Sequence, residues 1–131
     1  MDTKTIATKP IFFEKNRVFR VYLGGKLFSD FFGDNSEDSF YPEEWICSST
    51  KALNEGSTDE FEGLSTVKGT NIHFNELLES EKELMLGNRN GLDVLVKALD
   101  SAIRLPVQAH PDKAYSRVHF NSDFGKAESW L

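Results

Sequence analysis

The stretch Arg17-Val18-Phe19-Arg20-Val21-Tyr22 alternates in character along its length and then stops at Gly24-Gly25. Side chains two apart on a strand share a face. The run therefore predicts a strand with Phe19, Val21 and Leu23 on an apolar face directed to the core, and Val18, Arg20 and Tyr22 on the other. The remaining apolar runs are also short and broken by glycine or proline. WICSS (45–49), LDVLVKAL (92–99), LPVQAH (105–110) and KAESWL (126–131) read as further strands. Expected helices are short: a piece within 27–44, two pieces in FNELLESEKELMLG (74–87), and one or two turns after Pro111. Ser80 and Glu83 fit a capping box that restarts the second piece, and Gly87 supplies its stop. Residues 1–10 read as a loose polar lead-in, and 53–70 as a mobile surface loop. Many strands with short local helices favour an antiparallel β-sandwich or barrel.

With 131 residues the chain fits one domain. Fifteen basic against 21 acidic residues give a net charge of −6, which argues against nucleic-acid binding, because a phosphate backbone requires a basic footprint. A small anionic substrate, held by one or two lysines, stays open. No apolar run reaches the ~20 residues that span a bilayer, and the first ten residues lack the apolar stretch of a secretory signal. The single cysteine, Cys47, excludes an intrachain disulfide and points to a reducing, cytoplasmic setting.

The last third carries the chemistry. Strand alternation makes Gln108 a neighbour of His110 on one strand, and Lys126 a neighbour of Glu128 on another. Lys97 shares its strand face with Leu95 and Leu99, so its ammonium is costly to bury unless an anion pairs with it. If these faces meet, they make a polar pocket. Imidazole and carboxylate are good zinc donors, and a neutral amide oxygen keeps the charge of the site high. Taken singly, each of these residues is more simply structural. His73 and His119 read as surface histidines, Glu79 to Glu83 as a solvated helix face, and Phe31 and Phe32 as core.

The segment VLVKALDSAIRLPVQAHPDKAYSRVHFNSDFGKAESWL resembles type I mannose-6-phosphate isomerase, in its lysine, Q-x-H-P-D and G-K-x-E-x-W pattern. The matching positions are Lys97, Gln108 to Asp112, and Gly125 to Trp130. YLGGKLFSDFFG and EEWICSS are more loosely similar to earlier family segments. The resemblance runs from about residue 11 to the end. It implies a cupin-type jelly roll that holds one zinc ion, with Gln108, His110 and Glu128 as three of four protein ligands. The fourth family ligand, a histidine, has no match in this chain. It also implies that Lys97 and Lys126 line a sugar phosphate pocket, and that mannose 6-phosphate and fructose 6-phosphate interconvert through an enediol. Pro106 and Ala127 stand where the family usually has hydroxyl residues, which favours a competing reading as a non-catalytic cupin-like sugar- or metal-binding module.

On this reading residues 1–131 are the N-terminal part of an isomerase catalytic domain, cut after the third metal ligand. The chain alone is then expected to be inactive and to hold zinc weakly or not at all, since three ligands leave the ion largely hydrated. No nucleic-acid or membrane partner is expected, and strand edges opened by the cut invite self-association.

Overall fold

A computed structural model describes residues 2–57 and 59–131. Its elements in chain order are α1 (Thr3–Ala7), β1 (Arg17–Val18), α2 (Phe28–Phe32), β2 (Glu43–Ile46), α3 (Phe74–Ser80), α4 (Lys82–Met85), β3 (Val96–Leu99) and α5 (Lys113–Phe120). The three strands form one antiparallel sheet in the order β1-β2-β3. Short helices surround it. The antiparallel sheet agrees with the expected class at that level; the named strands are fewer and shorter than the sequence pattern implied.

Register explains which face the sheet buries. Val18 pairs with Glu43, and Trp45 pairs with Lys97, so all four share one face. Val18 is fully buried and Glu43 and Trp45 nearly so. Tyr22, on the Val18 face by alternation, is buried as well. This reverses the expected orientation: Val21 is 87% exposed, and Leu23 is exposed too. The cause is a distant carboxylate. Glu43 satisfies the polar ends of Arg20 and Tyr22, which lets the face with fewer apolar residues go inside.

A second apolar cluster joins Ile6, Val67, Phe74, Leu77 and Leu78. Phe13 meets Phe74 edge to face at 5.0 Å. Residues 2–10 are not a loose lead-in. Asp2 caps α1 by accepting from the Lys4 and Thr5 amides, and the helix buries Ile6 against α3. The second half of the 53–70 segment is likewise anchored. Gly63, Leu64, Ser65 and Val67 are buried, and the Ser65 hydroxyl accepts from the Ser48 amide at 2.8 Å. Phe31 and Phe32 are exposed rather than core; they pack on one another at 4.8 Å, with the Arg17 guanidinium 5.3 Å from the Phe32 ring.

The expected capping box lies one helix earlier. His73 and Glu76 exchange the reciprocal bonds at the start of α3, whereas Ser80 donates back to the Leu77 carbonyl. Gly87 does adopt a left-handed φ of 59° after α4. Gly24 is required by a close approach: a Cβ there would lie 1.9 Å from the Asp100 carbonyl oxygen. That contact locks the turn after β1 to the end of β3. The Asp100 carboxylate reinforces it by accepting from the amides of Gly25 and Leu27.

Candidate functional site

Segments 105–110 and 126–131 belong to no strand. Pro106 lacks the N–H that a ladder uses, and the start of the second segment meets the chain just past the first through the bond from Lys126 N–H to the Pro111 carbonyl at 2.9 Å. Gly125 makes this meeting possible, because a Cβ there would already sit 3.0 Å from Pro111, Asp112 and Lys113 backbone atoms. Asp112 then caps α5, accepting from the Tyr115 amide at 2.8 Å, and Asn121 ends the helix in a left-handed conformation. The Q-x-H-P-D and G-K-x-E stretches are thus the two sides of one crossing.

The crossing brings the expected donors together. His110 Nε2 lies 3.4 Å from Gln108 Oε1 and 3.2 Å from Glu128 Oε2. The His110 and Glu128 side chains retain about a quarter of their exposure, and all three residues are exposed, so the trio is open to solvent. Two acceptor oxygens facing one ring nitrogen fit either a proton on Nε2 or a cation among the three atoms. The spacing suits a cation: in a tetrahedral site with bonds of about 2.0–2.1 Å, donor atoms stand about 3.4 Å apart. The residues present therefore fit a divalent ion with an open position for water. Among the described residues no group of three or more His, Cys, Asp or Glu side chains is placed to hold a metal; this trio reaches three donors only through the Gln108 amide.

Lys97 has the anionic partner that its apolar run demanded. Its ammonium lies 3.2 Å from Glu43 Oε1. The same carboxylate accepts from the Tyr22 hydroxyl at 2.8 Å and from Trp45 Nε1 at 2.7 Å, and pairs with Arg20 at 3.0 Å. Burial pushes the Glu43 carboxyl upward. The Trp45 bond, the Arg20 and Lys97 charges and the Tyr22 bond outweigh that and hold it below the ordinary carboxylate range. Burial and the bond to Glu43 push the Tyr22 phenol up, and the charge of Glu128 adds to this.

Lys126 has an exposed side chain; its backbone, as described, fastens the crossing. His73 caps α3 and stacks on Phe61 at 4.5 Å. His119 stacks on Tyr115 at 4.0 Å on α5. Neither reaches the trio. A cavity of about 330 Å³ is lined by Arg17, Phe19, Tyr41, Asn54 and Glu62 among others, and excludes the trio. Glu43, Arg20 and Tyr22 are the residues that the sequence pattern did not single out. The signal for them was indirect: a lysine in an apolar strand implies a buried carboxylate somewhere.

Comparison with known proteins gives one partial match. A 37-residue stretch is 51% identical to "Probable mannose-6-phosphate isomerase GmuF" of Bacillus subtilis (strain 168), covering 28% of this chain and 12% of that protein. No family model matches the chain, and no solved structure does. The chain is thus similar, over a short stretch, to a protein named as a probable isomerase. Among the described residues no helix is long and apolar enough to cross a membrane.

Proposed function

We propose that this chain carries the metal-binding part of a zinc-dependent mannose-6-phosphate isomerase, with its antiparallel sheet forming part of a cupin-type jelly roll. The convergence of Gln108, His110 and Glu128 supports this reading more than any other observation, and the short relationship to a named isomerase agrees with it. Gln108, His110 and Glu128 would hold the ion, which when bound supplies Lewis acidity toward a sugar oxygen. Lys97, fixed on Glu43, and Lys126, on the exposed flank of the crossing, present positive charge to an anionic sugar phosphate. Tyr22 and Trp45 are buried, bond to the Glu43 carboxylate and keep water from it.

The competing reading is a non-catalytic module that holds metal or sugar, favoured by Pro106 and Ala127. An isomerase must bind both partners of its reaction. Zinc-dependent binding of mannose 6-phosphate and of fructose 6-phosphate, followed by ligand-observed NMR, is the expected result, and His110→Ala should abolish both. Binding of only one sugar would favour the module, and zinc-independent binding of either would contradict the proposed site.

A further inference from the structure

We propose that Asn90 is a site of spontaneous deamidation, in which the Gly91 amide nitrogen attacks the Asn90 side chain and Lys82 assists. Asn90 is the one asparagine of the chain that a glycine follows. It is exposed and lies outside helix and strand, in the link between α4 and β3. Glycine has no Cβ to obstruct the approach of its nitrogen to the preceding side chain. Among the described residues the Gly91 N–H takes part in no backbone hydrogen bond, so nothing in the main chain holds that nitrogen back. The fold does not itself require a glycine at 91. Its φ is not positive, and a Cβ there would meet only Asp93 Oδ1, at the ordinary contact distance of 3.5 Å.

Lys82 makes the site more than a dipeptide. Its ammonium donates to Asn90 Oδ1 at 3.3 Å. That contact draws electron density from the amide carbon and stabilises the oxyanion formed when the carbon is attacked. The Gly91 nitrogen bonds to this carbon and gives its proton to solvent, and the side-chain nitrogen takes a proton from solvent and leaves as ammonia. Water then opens the resulting succinimide. Breaking the new C–N bond leaves aspartate; breaking the original backbone C–N bond leaves isoaspartate. Either product adds one negative charge to a chain of net charge −6. Aspartate keeps the acid where Lys82 meets the amide oxygen now, and the contact becomes an ion pair. Isoaspartate inserts one more atom into the main chain ahead of β3, the strand that carries Lys97.

Incubation of the intact chain at mildly alkaline pH, followed by peptide mass spectrometry, tests this. The amide-to-acid exchange should accumulate at Asn90 ahead of Asn35, Asn71, Asn88 and Asn121, which are also exposed. Gly91→Ala should lower the Asn90 rate to that of these four. Lys82→Met should slow Asn90 in the folded chain and leave it unchanged in urea, where the Lys82 contact is absent. Exchange at Asn90 no faster than at the other four would overturn the proposal, as would an unchanged rate in Gly91→Ala. A folded Lys82→Met chain that matches the unaltered one would overturn the part given to Lys82.

Discussion

Glu43 decides which side of β1 is buried, and it does so with a charge. A hydrophobic count along 17–23 selects Phe19, Val21 and Leu23 as the inner face. The chain instead buries Val18 and Tyr22, because Glu43 meets the polar ends of that face. No local pattern contains this information: Tyr22 and Glu43 lie 21 positions apart. The need for an anion near Lys97 was legible; its address was not. Glu43→Gln should cost about 1–3 kcal/mol in urea unfolding, as the Lys97 and Arg20 pairings lose their charge. The folded state holds the Glu43 carboxyl below its ordinary value of 4.5. Its stabilisation is therefore complete above that value and is lost as the pH falls through the lower folded one. Unfolding midpoints measured between pH 3 and 6 should show a steeper acid decline for the unaltered chain than for Glu43→Gln. Parallel declines would mean that the carboxylate is not held ionised.

At the level of elements, the sequence pattern located α2, α3, α4 and α5 and the core of β2 and β3. It failed where pairing partners decide the outcome. Segments 105–110 and 126–131 have strand-like composition, yet they form no ladder, and the backbone bond that fixes their crossing runs from Lys126 to Pro111, just past the first. The expected neighbours, Gln108 and His110, still meet, because the Gly125 approach and the Asp112 cap fix the crossing. Glycine carries two of these elements. Gly24→Ala would drive a methyl into the Asp100 carbonyl and should destabilise the chain by about 1–3 kcal/mol or more, read as a lowered Tm. In the second cluster Leu77 is fully buried, and Leu77→Ala should cost about 2–5 kcal/mol by the same measurement. A loss below 1 kcal/mol at Leu77 would show that α3 is not packed as described.

For the molecule as a whole, the sheet is small and β3 lies at its edge. Val107, Phe124 and Trp130 are exposed around the donor trio. An open strand edge that carries the exposed Val96, with Val94 exposed just before it, favours pairing between copies, so sedimentation should show association that grows with protein concentration. A monomer throughout the concentration range would contradict this. The jelly roll is what the family resemblance implies; the described residues form a three-stranded antiparallel sheet. What was legible in the sequence was that Gln108 and His110 are neighbours; their convergence with Glu128 depends on a crossing that no periodicity marks.

The central claim is that Gln108, His110 and Glu128 form one metal site. Cobalt(II) titration followed by visible absorption tests it most directly, because the ion's d–d bands report a low-coordinate nitrogen and oxygen environment. The predicted result is a weak, saturable 1:1 spectrum, displaced by zinc and absent from both His110→Ala and Glu128→Gln. A spectrum that persists in those two variants, or none at millimolar cobalt in the unaltered chain, would contradict the account.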